Sequence, residues 1–147
     1  MIVYLSLGAN LGNREQSIDT AIELLNQQAG PLIKRSSFFY SKPWGFDSPN
    51  DFCNICAAFD TDLSPLELLR TTQSIERQLG RTAKTATAQN RLPLYSDRTI
   101  DIDILLYGDL NMDTPELTIP HKNMEKREFV MLPLQEIAPH LPFFAEK

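Results

Sequence analysis

Apolar positions change period several times along this 147-residue chain, and each change marks an element. Residues 2–7, "IVYLSL", are mostly large and apolar, which predicts a buried strand, and "GANLGN" turns the chain away from it. Over 13–28, Ile18, Ala21, Ile22 and Leu25 recur at helical spacing, Asn13 stands at the N-cap with Gln16 three residues on, and Gly30-Pro31 stops the helix. Residues 33–41 are β-branched and aromatic enough for a second strand, "KPWGFDSPND" has the composition of an ordered loop, and 52–61 reads as a third strand.

Ser64-Pro65-Leu66-Glu67 is a helix start, with a hydroxyl cap, proline at the first helical position and Glu67 placed to reach back. Leu68, Leu69, Thr72, Ile75 and Leu79 form its inner stripe, and Gly80 ends it. A polar loop over 81–97 precedes a strand over 98–107, a turn at Gly108-Asp109, a short extended piece near 117–119 and a last helix containing Phe129, Leu132 and Ile137. The order β-α-β-β-α-β plus a tail is that of a ferredoxin-like α+β sandwich, a mostly antiparallel sheet with helices packed on it. One domain over 1–147 is expected, since 42% hydrophobic residues in a chain of this length suffice for one core. That fold hosts many functions, so chemistry must come from particular residues.

In the strand "RTIDIDILLY", Ile100, Ile102, Ile104 and Leu106 point to one face, and Asp101 and Asp103 to the other. Two carboxylates on one face, about 6.6 Å apart at twice the strand rise, can converge on a hard cation. A solvated edge strand would also carry aspartates to deter aggregation, but the flanks here are apolar on both sides. The net charge of −5 argues against general nucleic-acid binding, yet residues 77–98 hold Arg77, Arg81, Lys84, Arg91 and Arg98 against Asp97 alone. A basic island in an acidic chain suits a small anionic ligand such as a polyphosphate, which Mg²⁺ would bind alongside the two aspartates.

On the third strand, Phe52 and Asn54 share the face opposite Cys53 and Ile55, so an aromatic plate lies beside an amide, a pairing suited to a flat heterocycle. Cys53 and Cys56, spaced C-x-x-C, project to opposite faces of an extended strand and read as buried thiols rather than a zinc or redox pair. With no run of ~20 apolar residues and an opening "MIVYLSLGAN" interrupted by Ser6 and Gly8, a soluble cytoplasmic protein with no membrane partner is expected.

The stretches "LSLGANLGN", "SKPWG", "DFCN", "IERQLGR", "DRTIDIDILLYG" and "TIPHKNMEKREFVMLPLQEIAP" together resemble the 6-hydroxymethyl-7,8-dihydropterin pyrophosphokinase family, over nearly the whole chain and in order. The resemblance implies transfer of pyrophosphate from ATP to the pterin hydroxymethyl group in folate biosynthesis, with release of AMP, two Mg²⁺ ions and a ferredoxin-like fold. It implies that Asp101 and Asp103 hold both metals and, with Arg81 and Arg98, form the catalytic set. It places Gln73, Glu76, Arg98, Ile104, Thr118, His121 and Arg127 around ATP. Pro43, Trp44, Phe52, Asn54, Asp101 and Phe129 fall on the pterin, between the rings of Phe52 and Phe129. A monomer acting on ATP and the pterin is expected, with the loop from Arg81 to Asp97 closing over the nucleotide.

Two other readings stand beside this one. Ferredoxin-like palms of two-metal nucleotidyl transferases also carry paired aspartates, but the aromatic pair with Asn54 suits a pterin better. A nucleic-acid-binding sandwich would need an RNP-like aromatic motif on its central strands and a positive net charge, and has neither.

Overall fold

The computed structural model describes residues 1–42, 50–80 and 99–145. Its elements run β1 (Ile2–Ala9), α1 (Arg14–Gln28), β2 (Leu32–Arg35), β3 (Phe39–Ser41), β4 (Phe52–Asp60), α2 (Pro65–Gly80), β5 (Asp101–Tyr107), β6 (Met112–Asp113), β7 (Thr118–Ile119), a 3₁₀ turn (Met124–Lys126), α3 (Glu128–Ile137) and α4 (Pro142–Ala145). The loop expected at 81–97, with Arg81, Lys84 and Arg91, lies outside the described residues, as do Arg98 and most of the "KPWGFDSPND" loop.

Both early helices start as their local chemistry requires. The Asn13 side chain accepts the Gln16 N–H at 3.1 Å, while Ser64 and Glu67 form a reciprocal box in which each side chain accepts the other's backbone N–H, at 2.8 and 3.2 Å. α1 ends where Gly30, at φ +147, donates its N–H to Leu25; a Cβ there would lie 2.0 Å from the Asp60 carbonyl oxygen, so only glycine fits.

The main sheet has the order β2-β4-β1-β5, with β3 beside β4 further along the same edge as β2, and every pairing is antiparallel. This is the expected ferredoxin-like arrangement, with the second strand divided. Arg35 pairs with Ala57 and Phe39 with Asn54, so four steps on one strand face three on the other. The extra residue is absorbed at Ser36, whose N–H donates to Cys56 O while its hydroxyl accepts the Cys56 N–H.

One sheet face packs Val3, Leu5, Leu7, Ile55, Phe59, Ile102 and Ile104 against Ile18, Ile22 and Leu25 of α1 and Leu68 and Ile75 of α2. The other face packs Cys56, Ala58, Leu105 and Leu106 against Val130, Leu134 and Ile137 of α3. Simple alternation put Leu106 with the isoleucines, and the structure corrects that. The pairing jumps from Leu5↔Ile104 to Tyr4↔Leu106, so Leu105 is a bulged residue and both leucines fall on the α3 side.

α3 covers only part of this second face, and the uncovered end carries Asp101 and Asp103. Residues 99 and 100 do not extend β5, which begins at Asp101, and Arg98 lies outside the described residues. The short extended piece near 117–119 is β7, paired with β6 in a two-stranded ribbon closed by Thr114, whose hydroxyl accepts the Leu117 N–H at 3.1 Å. Two-residue strands carry no readable period, which is why the sequence shows neither this pairing nor α4.

Candidate active site

Register across the three central strands builds the floor of the site. Gly8 of β1 pairs with Asn54 on one side and Asp101 on the other, and Ser6 pairs with Cys56 and Asp103. Two parallel rows therefore run across the sheet, with a small residue at the centre of each. Above them is a cavity of about 380 Å³, lined by Phe52 and Phe129 and also by Ile104, Thr118, His121 and Arg127. That size lies within the usual range for small-molecule sites.

Asn54 is almost fully buried, and its amide is oriented by its neighbours. Its Nδ2 donates to Ser41 Oγ at 2.8 Å and more weakly to Phe39 O at 3.4 Å. The Oδ1 is the atom turned toward Gly8.

Asp103 faces two cationic or hydrogen-bonding groups delivered by the chain after β7. Arg127 Nη1 lies 3.7 Å and His121 Nε2 3.9 Å from its Oδ2. Arg127 is buried just ahead of α3, with its guanidinium 5.6 Å from the Phe129 ring centroid, a cation–π distance. His121 is held in place by its N–H, which donates to Leu105 O on β5 at 3.0 Å. Its Nδ1 accepts the Asn123 N–H, so the proton of the neutral ring sits on Nε2, toward Asp103. Burial, then the Arg127 charge, lowers the His121 pKa, so at neutral pH the ring is an uncharged donor.

Glu76 approaches from α2. Its Oε2 accepts the Ile102 N–H of β5 at 2.7 Å, and its carboxyl shares a hydrogen bond with Asp101. Burial pushes its pKa up to about 8, with the Asp101 and Asp103 charges adding to the rise and the Ile102 N–H opposing it. Glu76 and the His121 backbone thus occupy hydrogen-bonding positions of β5, a device that blunts a sheet edge.

The fold therefore brings Phe52, Asn54, Asp101, Asp103, Ile104, Thr118, His121, Arg127 and Phe129 onto one cavity. Glu76 touches it through Asp101 rather than lining it. Gln73 is exposed and lines a smaller neighbouring hollow of about 170 Å³ with Arg70 and Glu116; Glu116 and Leu69 border both spaces. Pro43, Trp44, Arg81 and Arg98 lie outside the described residues. Sequence reasoning missed Ser6 and Gly8, although two small residues at alternate positions of an apolar strand are the legible sign of a floor that something must approach.

The donor set fits Mg²⁺. Among the described residues no third His, Cys, Asp or Glu completes a metal-binding cluster with Asp101 and Asp103, and Mg²⁺ is typically held by one or two carboxylates with waters and phosphate oxygens filling the other positions. Cys53 and Cys56 are free, buried and on opposite faces of β4, so they add no ligand here. No helix among the described residues is long and apolar enough to cross a membrane.

Comparison with known proteins gives a consistent picture. The family model for 7,8-dihydro-6-hydroxymethylpterin-pyrophosphokinase matches residues 4–139. The chain is 45% identical over 141 residues to the 2-amino-4-hydroxy-6-hydroxymethyldihydropteridine pyrophosphokinase of Porphyromonas gingivalis, covering 95% of this chain and 92% of that one. The Haemophilus influenzae protein of the same name is 41% identical, covering 94% and 82%, and that of Bacillus subtilis 39%, covering 92% and 77%. The fold is similar to that of an HPPK-DHPS crystallised in complex with substrates, with a TM-score of 0.69 at 15% identity over 99% of this chain and 42% of that longer one. Wild-type Plasmodium falciparum HPPK-DHPS is similar at a TM-score of 0.68 and 16% identity, over 91% and 40%. With nearly its whole length matched, this chain belongs to the 7,8-dihydro-6-hydroxymethylpterin-pyrophosphokinase family.

Proposed function

We propose that this chain transfers the terminal pyrophosphoryl group of Mg-bound ATP to the hydroxymethyl oxygen of 6-hydroxymethyl-7,8-dihydropterin and releases AMP. Pyrophosphoryl transfer to this pterin, a step of folate biosynthesis, is the activity of the family to which the chain belongs. The single observation that supports it most is the row Asn54–Gly8–Asp101. It sets a buried amide and a carboxylate on either side of one open backbone position, in the cavity that Phe52 and Phe129 wall.

In the reaction, the pterin hydroxyl oxygen forms a bond to the β-phosphorus while the bond from that phosphorus to the oxygen bridging the α-phosphate breaks. AMP leaves with the bridging oxygen, and the hydroxyl proton is lost. Asp101 and Asp103 would hold the Mg²⁺, which when bound supplies charge neutralisation on the phosphate oxygens. The protein's own contribution is positioning and electrostatics. Arg127 offers a fixed cationic fork, already desolvated, to phosphate oxygens. His121, neutral with its proton on Nε2, is a hydrogen-bond donor in this tautomer and not a base. Phe52 and Phe129 offer apolar faces to the pterin ring, and Asn54 Oδ1 offers an acceptor to an N–H on its edge.

The test mixes the protein with MgATP and hydroxymethyl-dihydropterin and follows AMP by chromatography. AMP should form only when the pterin is present. Folded protein that releases none, or releases it equally without the pterin, would overturn the reading.

A further inference from the structure

Gly8 is a glycine that its own backbone does not require. The positive-φ glycines of the described chain are Gly12, Gly30 and Gly108, whereas Gly8 is in ordinary extended conformation within β1, paired on both sides. Glycine inside a strand is unfavourable, because it gives up more conformational freedom than any other residue and packs no side chain. Its neighbours in β1 behave as strand residues should: Leu5, Leu7 and Ala9 are fully buried. Something other than folding must therefore account for Gly8.

What a side chain would meet there is specific. A Cβ on Gly8 would stand 2.9 Å from Asn54 Oδ1, closer than real Cβ atoms come, and 3.5 Å from Phe52 Cδ1, an ordinary contact. An exposed side-chain tip could swing aside at little cost. Asn54 is not in that position: it is 2% exposed, and its Nδ2 is held by Ser41 Oγ and Phe39 O. Moving Oδ1 away from Gly8 means turning the whole carboxamide and losing those bonds, in a place where water cannot replace them. The three atoms nearest such a Cβ belong to Asn54 and Phe52, and none to Asp101 on the opposite side of Gly8.

We infer that Gly8 is a positioning residue for the pterin site: the missing side chain lets the Asn54 carboxamide lie over β1 with its oxygen presented to the ring edge. The inference rests on the pterin reading above and adds to it a residue whose missing side chain would face Asn54 and Phe52. Its effect is confined to one half of the cavity. A methyl at position 8 turns the Asn54 acceptor away from the ligand and leaves Asp101, Asp103, His121 and Arg127 as they are.

The test is a double-mutant cycle on Gly8→Ala and Asn54→Ser, since serine is too short to reach the new methyl. In otherwise wild-type protein, Gly8→Ala should raise the KM for the pterin about tenfold or more, with MgATP affinity changed less than twofold and the melting temperature lowered as the buried Asn54 bonds are lost. In the Asn54→Ser background the same change should raise the pterin KM less than threefold. Amide-group NMR gives a readout that does not depend on activity: the Asn54 side-chain NH₂ resonances of the ligand-free protein should shift in Gly8→Ala. An unchanged pterin KM in Gly8→Ala overturns the inference, as does equal loss of pterin and MgATP affinity, or an equal effect in both backgrounds. Should Gly8→Ala alone not fold, the comparison within the Asn54→Ser background decides, and a large effect on pterin KM there counts against the inference. Failure of the underlying reading looks different, because the wild-type protein itself would then release no pterin-dependent AMP.

Discussion

Replacing Glu76 with Gln probes the carboxyl cluster where α2 meets β5. Glu76 accepts the Ile102 N–H and shares a hydrogen bond with Asp101, and burial together with the two aspartates raises its pKa from the ordinary 4.5 to about 8. The folded protein thus holds this proton more tightly than the unfolded chain does. The stability this contributes is complete below pH 4.5 and is lost as pH rises through 8. His121 acts in the opposite sense: its folded pKa is lowered from 6.5, so its contribution is present above pH 6.5 and is lost on acidification. His121 is present in both proteins, so the difference between their curves from pH 6.5 to 8.5 isolates Glu76. Roughly 1.5 pKa units of the shift fall in that window, at about 1.4 kcal/mol per unit, so Glu76 should cost the wild-type protein about 2 kcal/mol of stability across it. Glutamine keeps an oxygen for the Ile102 N–H and offers Asp101 an N–H, without a titrating proton. Urea unfolding at intervals of half a pH unit, in EDTA, should show the wild-type curve falling relative to that of Glu76→Gln by this amount. Curves that run parallel from pH 6.5 to 8.5 would refute the idea that Glu76 carries a proton in the folded state.

Asp103→Asn removes a charge from the floor while keeping its shape, and kcat at saturating MgATP should fall about 100-fold or more, with the melting temperature within a few degrees of wild type. A wild-type rate would contradict the metal role. Phe129→Ala strips one wall of the cavity and should weaken pterin binding about tenfold, roughly 1.4 kcal/mol, while leaving nucleotide affinity nearly unchanged in calorimetric titration; the reverse pattern would misplace the ring pocket. Gly30→Ala puts a methyl 2.0 Å from the Asp60 carbonyl at a φ of +147, and should lower unfolding free energy by about 2–4 kcal/mol in urea, with KM for both substrates unaltered.

Much of this molecule is legible in local signals. The caps at Asn13 and Ser64, the inward stripe Ile18–Ala21–Ile22–Leu25 and the paired aspartates within an isoleucine strand involve residues close in sequence, so a single helix or strand suffices to interpret them. The gathering of Phe52, Asn54, Asp101, His121 and Arg127 is a different kind of statement. Alternation links Phe52 with Asn54 alone, and in the sequence all five come together only through resemblance to a family. Gln73 likewise comes to the site through α2, in a hollow that shares Leu69 and Glu116 with the main cavity.

Consecutive residues alone set the principal helices and strands, their order and the alternation that turns Asp101 and Asp103 from the isoleucines, because helix and strand periods are local properties. Which residues stand next to them depends on how the strands pair. Register between strands far apart in sequence puts Gly8 between Asn54 and Asp101, and one bulged residue, Leu105, moves Leu106 to the face covered by α3. Pairing is a property of two segments together and shifts every side chain by a face when it slips by one residue. A site built across three strands therefore exists only once all three have been aligned.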